Sequence, residues 1–366
     1  MKKIIFMIIN MNLGGTEKAL LNMIDEIPIN DYEITILMLE KYGALLEDIP
    51  PYVKVKYLDE YERIRPLINN SPKSVIENHI ENREVIKAIK CGIYNIIAKL
   101  RGDRTQYYKY LAKRLKVINE EYDIAVAYAG PMEFITYYVL NKINAKEKYQ
   151  WIHFDIRNIG FNKKFAQNNF KKFDKVVVVS DEGKKALIEV CHKLKGNVSV
   201  KLNTIPKRHI IEQSEVGEGF VDTFDGIRIL TVGRICKEKG QDIAIRVCKK
   251  LLEEGVNVKW YCIGSGNLES EYKNLVYNLG LENSFEFLGS KKNPYAYMRE
   301  CDIYVQPSRH EGFCITVAEA KIFEKPIITT DFIGAKEQLK ELNNSEVVCS
   351  EVEMVNSIKK IVNKKY

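Results

Sequence analysis

IYVQPSRHEGFCITVAEA, running from Ile303 to Ala320, holds a strand, a turn and a helix in one short stretch. It opens on an apolar run, Ile303 to Val305, and passes through Gln306, Pro307, Ser308, Arg309 and His310. An apolar-periodic segment then predicts a helix from about Phe313. A strand feeding a helix through a tight turn is the building unit of a parallel α/β sheet. Two carboxylates bracket the entry, Glu311 just before the helix start and Glu319 two turns along. Free N–H groups at a helix start attract an anion or sugar oxygens. Carboxylates, which only accept hydrogen bonds, suit a polyhydroxyl ligand. Two ordinary helix glutamates would have the same spacing, so the pair does not decide function alone.

Outward from this stretch the same unit recurs. Toward the N-terminus, β-rich runs at Lys3–Ile9, Glu33–Leu39, Val53–Leu58, Asp123–Ala127, Lys148–Ile152 and Lys175–Val179 predict strands. Helical patterns at Glu17–Glu26 and across the long Ser74–Glu121 region lie between them. Residues 206–226, with Pro206, Gly217, Gly219 and Gly226, read as a linker. Strands resume at Ile227–Val232, Val258–Ile263, Ser284–Leu288, Ile303–Val305 and Pro326–Thr330. The fold class is α/β: two doubly wound Rossmann-like domains, 1–205 and 227–350, facing across a ligand cleft. A basic helix over 351–366 packs on the second domain or back on the first.

The composition agrees. The 366 residues are 46% hydrophobic and 29% charged, ordinary for a folded chain of two domains. No apolar run approaches the roughly 20 residues of a membrane-spanning helix. Met1 to Ile9 faintly imitates a signal peptide, but the apolar part is short and Gly14 and Gly15 follow, so it reads as a first buried strand. Eight cysteines are scattered singly, without Cys-x-x-Cys spacing, which gives no support to a zinc site or a disulfide framework and fits a reducing cytoplasm. The five histidines show no metal-ligand spacing.

A second constellation is Gly233-Arg234…Lys239-Gly240, where a strand ends and two cations precede a helix. Such a loop delivers positive charge to a diphosphate, and the Arg fork matches phosphate oxygens; a solvated basic turn is the plainer alternative. In chain order follow Gly264-Ser265-Gly266, Phe287-Leu288-Gly289, Glu311-x7-Glu319 and Thr330-Asp331-Phe332-Ile333-Gly334. This ordered set, from Ile227 to about Leu339, resembles the family-4 retaining glycosyltransferases of the GT-B fold, of the bacterial surface-polysaccharide type. Agreement is looser in the first domain. Gly14, Gly15, Thr16 and Glu17 stand where the family's glycine-rich donor loop lies, and His153 follows a strand where members place a histidine against the donor sugar.

The resemblance implies that Arg234 and Lys239 bind the donor diphosphate and stabilise the departing nucleotide. It gives Glu319 the nucleotide ribose and Glu311 a donor-sugar hydroxyl. The amides of Phe313, Cys314 and Ile315, beside Gly312, would contact sugar or phosphate, and Gly289 and Ser290 would lie near the base. The implied reaction is transfer of a sugar, with retention, from a nucleotide-sugar (UDP by default) to a glycan or lipid-linked acceptor in capsular, exopolysaccharide or other surface-glycan assembly. Cys314 departs from the family, which commonly has Gly or Pro there, as does Glu324, where Gly is frequent.

No two aspartates are two residues apart, so the Asp-x-Asp clamp for a divalent ion is missing. The expectation is a metal-independent enzyme without a cofactor. Net charge is +7, and the Lys87–Lys116 segment interleaves cations with Ile, Leu and Tyr, while Asn162–Lys175 interleaves them with Phe165, Phe170 and Phe173. Either segment reads as a basic amphipathic helix on an anionic membrane face or as a core-facing stripe with a solvated back. The expected location is cytoplasmic, with peripheral membrane attachment in the first case. Three rivals are weaker. A dinucleotide-binding dehydrogenase would need a third glycine where Glu269 stands. A nucleotide-sugar epimerase shares the donor site but not the transfer. A basic nucleic-acid-binding protein leaves the ordered motifs unexplained, so no nucleic-acid partner is expected.

Overall fold

The protein is described from a computed structural model covering residues 1–130, 132–157, 162–340 and 342–365. It divides into two units, Met1–Leu202 and Asn203–Tyr366.

The first unit is a seven-stranded parallel sheet of strands β1 (Lys2–Ile8), β2 (Tyr32–Met38), β3 (Lys54–Tyr57), β4 (Ile118–Gly130), β5 (Ile143–Ile152), β6 (Lys175–Val178) and β7 (Val198–Val200), in the order β3-β2-β1-β4-β5-β6-β7. Its helices are α1 (Gly15–Asp25), α2 (Tyr61–Asn69), α3 (Pro72–Glu81), α4 (Val85–Arg101), α5 (Thr105–Ala112), α6 (Glu133–Lys142), α7 (Lys163–Asn169) and α8 (Asp181–Val190). The long helical region thus resolves into α3, α4 and α5, followed by the start of β4. The central strands are buried on both faces, as their continuous apolar runs dictate: Ile4 to Ile8 and Ile34 to Met38 are all inside.

The second unit repeats the plan with six parallel strands, β8 (Ile227–Val232), β9 (Val258–Ile263), β10 (Phe285–Phe287), β11 (Ile303–Gln306), β12 (Ile327–Thr330) and β13 (Glu346–Val348), in the order β10-β9-β8-β11-β12-β13. Its helices are α9 (Lys207–Val216), α10 (Gln241–Glu253), α11 (Glu269–Asn278), α12 (Tyr295–Glu300), α13 (Ile315–Ala320), α14 (Ala335–Leu339) and α15 (Glu351–Lys365). Trp260 is fully buried among Ile229, Val247 and Ile303. Its indole N–H donates to Thr231 Oγ1 at 3.0 Å, and that hydroxyl donates to the Val305 carbonyl at 2.7 Å. Each unit therefore has the doubly wound order, with a switch point where the first strand meets the fourth: β1 beside β4, and β8 beside β11.

One expectation changes, and one left open is resolved. Residues 206–226 are built into the second unit rather than left as a tether. Ile210 of α9 is buried in its core, and Asp222 accepts from Lys259 at 2.8 Å, Tyr261 at 2.6 Å and Arg228 at 3.0 Å. Weak periodicity concealed the helix, because only Ile210 and Ser214 are buried along it. The final helix, α15, packs on the second unit: Met354, Val355 and Ile358 enter its core and Glu351 pairs with Arg246 at 2.7 Å.

Candidate functional site

The loops leaving β8, β9, β10 and β11 are stacked on one another at the carboxyl ends of the strands. The stacking relies on absent side chains. Gly264 has φ +146°, and a Cβ there would lie 2.0 Å from the Gly233 carbonyl oxygen. Gly240, at φ +69°, would meet the Pro307 carbonyl at the same distance. Backbone bonds join the layers: Gly233 N–H to Ile263 O and Gly264 N–H to Gly289 O, each 2.9 Å, and Ile235 N–H to Ser265 O at 3.0 Å. Gly264 and Gly266 are therefore closed against neighbouring backbone, a packing role rather than an open dinucleotide cradle.

On this platform Lys239 and Glu311, 72 residues apart, form one unit. Lys239 Nζ lies 2.6 Å from Glu311 Oε1. Burial alone would lower the Lys239 pKa, but the Glu311 carboxylate more than offsets it and the ammonium is held above its ordinary value. Ser308 Oγ also donates to Glu311 Oε1 at 2.7 Å, Gln306 Nε2 donates to Ser308 Oγ at 2.8 Å, and Tyr304 OH donates to Gln306 Oε1 at 2.9 Å. The carboxylate is thus fixed from below by a buried relay, while Lys239 keeps further N–H donors. Arg309 fastens the loop from the side with two bonds to Asp242, 2.7 and 2.6 Å, at the start of α10.

The remaining candidates of the second unit surround this pair unevenly. Arg234 is exposed on the same loop, whose carbonyl at Arg234 accepts from Gln241 at 2.9 Å. Ser290 Oγ, next to Gly289, is 2.7 Å from Ser265 Oγ. Gly312 is buried and Phe313 half-buried. The helix begins at Ile315, two residues later than expected. Cys314 is buried, and its thiol is raised to about 12 chiefly by burial. In the orientation that satisfies both ends of its amide, Gln338 accepts from Cys314 N–H and donates to Cys314 O at 3.2 Å each. The Cys314 amide is therefore engaged within the fold. Glu319 is only 1% exposed, and Tyr295 OH donates to its Oε1 at 2.9 Å.

In the first unit, Gly14, Gly15, Thr16 and Glu17 form the entry to α1 directly after β1, and His153 follows β5. Tyr128 of β4 links the two places. Burial, and then the Glu17 charge, raise its phenol well above the ordinary value, and its ring centroid is 4.5 Å from that of His153. Burial lowers the His153 pKa to about 3, so the imidazole is neutral at physiological pH. Its Nε2 is buried with no hydrogen-bond partner among the described residues. Asp155 makes two bonds to the Arg157 guanidinium, at 3.1 and 3.2 Å.

Ser308, Gln306, Tyr304 and Tyr295 went unmarked in the sequence. The first three lie in or beside the turn at 306–310, which offered a signal of place but not of role. Tyr295 has no signal before α12 is folded against α13. Among the described residues, no three His, Cys, Asp or Glu side chains gather as a metal cage requires.

Residues 224–365 match the family described as glycosyl transferases group 1. A Haemophilus influenzae protein described as an uncharacterized glycosyltransferase is 24% identical over 99% of this chain and 91% of its own. A Methanocaldococcus jannaschii protein of the same description is 30% identical, over 50% of this chain and 47% of its own, so that match spans about half of each. The Staphylococcus aureus capsular polysaccharide biosynthesis glycosyltransferase CapM is 32% identical over 30% of each chain. Among solved structures, Anabaena HepE in complex with UDP and glucose aligns with TM-score 0.66 at 18% identity, over 100% of this chain and 91% of that one. Staphylococcus aureus TarM aligns at 0.65 and 15%, over 99% and 93%. These neighbours establish the GT-B class of fold with two parallel-sheet Rossmann-like halves.

Proposed function

We propose that this chain, whose C-terminal unit is a glycosyl transferases group 1 domain, moves a sugar from a nucleotide-sugar to a glycan or lipid-linked acceptor in surface-polysaccharide assembly. The observation that carries this reading is the Lys239–Glu311 pair, 2.6 Å apart at the β8/β11 switch point. It offers a cation for a diphosphate and an oriented carboxylate for a sugar hydroxyl side by side. UDP is the proposed nucleotide; HepE in complex with UDP and glucose supports it by likeness of fold.

In this proposal Lys239, with Arg234, takes the negative charge that grows on the diphosphate as the anomeric C–O bond breaks. Fixed charge aimed at a leaving group is the largest electrostatic contribution such a site can make. Glu311 holds a donor-sugar hydroxyl, its position set by Ser308. Glu319, oriented by Tyr295, accepts from the ribose once the bound donor reaches it. The amides near Phe313 and Ile315 and the Gly289–Ser290 turn complete the donor site. Gly14 to Glu17 and neutral His153 contribute hydrogen bonds to sugar. The anomeric configuration is retained and no divalent ion is needed.

A thermal-shift panel of UDP-, GDP- and ADP-sugars tests the donor, because a true donor raises Tm by mass action. Proton NMR of the glycoside tests retention. No stabilisation by any nucleotide-sugar would refute the proposal, and release of a free isomerised nucleotide-sugar would instead favour the epimerase.

A further inference from the structure

The first unit carries one helix whose amphipathy is turned outward. The face that α4 turns inward is built of small residues: Ala88 and Cys91 are buried, while Tyr94 stacks on Tyr110 at 4.7 Å. Its large apolar residues face solvent. Ile86, Ile89, Ile93, Ile96 and Leu100 are 70%, 57%, 50%, 61% and 80% exposed. Their three- and four-residue spacing draws one stripe along a helix about 25 Å long. The neighbouring segments do the opposite. Tyr107, Tyr108 and Leu111 of α5 are buried, as are Phe165 and Ala166 of α7, and their cations are left as a solvated back. A continuous exposed stripe of this kind requires a partner.

We propose that α4 lies in the surface of an anionic lipid bilayer, with the Ile86–Leu100 stripe in the acyl boundary. Charge selects this occupant. Lys90 and Arg101 border the stripe on one side and Lys99 on the other, and α4 contains no Asp or Glu. The nearest acid, Glu84 at the N-cap, is taken by Lys87 and by His79 at 2.7 Å. Pairing with a second copy of α4 would set these cations against one another across the seam, whereas anionic headgroups match them on both flanks. A cavity of about 300 Å³ at the C-terminal end of the helix is lined by Asn70, Asn95, Lys99, Arg104 and Asp103. Its two cations outnumber its one carboxylate, which adds room for a headgroup phosphate.

The test is co-sedimentation of the full chain with phosphatidylcholine vesicles, with and without phosphatidylglycerol. Binding should appear with the anionic vesicles and weaken on raising salt. The triple variant Ile89→Ser, Ile93→Ser, Ile96→Ser, which alters only exposed side chains, should melt like the parent and lose at least about tenfold in partitioning. Lys90→Glu with Lys99→Glu should lose about fivefold or more per site, as cations near an anionic surface do. Equal binding to neutral vesicles, or undiminished binding by the triple variant, would overturn the inference. So would a parent dimer in sedimentation velocity that the triple variant abolishes. UDP binding, measured in parallel, should be unchanged in both variants, so this result is separable from the donor-site proposal.

Discussion

Glu311→Gln separates the two halves of the proposed donor site. The substitution keeps the shape and leaves an acceptor for Ser308, but removes the charge 2.6 Å from Lys239 Nζ. An exposed ion pair contributes about 0–1 kcal/mol, and breaking a buried one costs about 3–5 kcal/mol. With the Lys239 side chain 24% and the Glu311 side chain 9% exposed, this pair lies between those limits. A stability loss of about 1–3 kcal/mol is expected. For ligands the signs diverge. UDP carries no sugar, and its diphosphate no longer shares Lys239 with a carboxylate, so UDP should bind about 3- to 10-fold tighter, worth roughly 0.7–1.4 kcal/mol. Transfer should suffer, because a charge-assisted bond to a sugar hydroxyl is worth about 1.5–3 kcal/mol, or roughly 10- to 150-fold in kcat/KM. Lys239→Met should instead weaken UDP about tenfold or more and slow transfer about 100- to 1000-fold, by loss of leaving-group stabilisation. Calorimetric titration with UDP and initial rates with the donor read both. If the two variants weaken UDP in parallel, or if Glu311→Gln turns over like the parent, the division of roles is wrong.

Four further outcomes follow from the geometry. Tyr295→Phe should cost about 1 kcal/mol of stability and raise the donor KM several-fold with kcat nearly kept, because Glu319 loses its orienting hydroxyl; a parental KM in steady-state kinetics would count against it. Gly264→Ala should destabilise the second unit by roughly 2 kcal/mol or more in urea unfolding, since the new Cβ falls 2.0 Å from the Gly233 carbonyl. EDTA should leave transfer rates intact, and a strict requirement for added divalent ion would reject the metal-free proposal. His153, lowered to about 3 in the fold, stays neutral while the unfolded chain takes up a proton below about 6.5. Its contribution is therefore complete above pH 6.5 and is lost by up to about 1.4 kcal/mol per unit as pH falls toward 3. His153→Phe should flatten that slope in denaturation measured between pH 7 and 5.

What was legible in the sequence follows from how each element is stabilised. β8 and β9 run over the residues expected, Ile227–Val232 and Val258–Ile263, because both faces are buried and every turn signal lies outside them. β7 and β13 are three-residue edge strands with a polar member, Val-Ser-Val and Glu-Val-Val, too short to display a period. α9 hid for a different reason: it is long enough to show a period, but only Ile210 and Ser214 are buried along it. Lys239 and Glu311 were legible through the ordered set of motifs that holds them, Gly233-Arg234…Lys239-Gly240 and Glu311-x7-Glu319. The neutral groups that fix them, Ser308 and Tyr295, leave no mark until the strands order the loops.

The limit is sharpest at α4 and α5, which both interleave cations with large apolar or Tyr side chains. Periodicity reports that a helix has an apolar face, not which way the face turns. That depends on the space the neighbours leave. Against α3 and α5, α4 buries only Ala88 and Cys91 fully, and the branched side chains Ile86, Ile89, Ile93 and Ile96 stand outside. On α5, the pocket beside Phe134 and Phe165 accepts Tyr108 and leaves Lys109 and Lys113 in water. The signal lay in the sizes of the residues opposite the stripe: a helix that sets its smallest side chains against its own protein keeps its apolar area for something else.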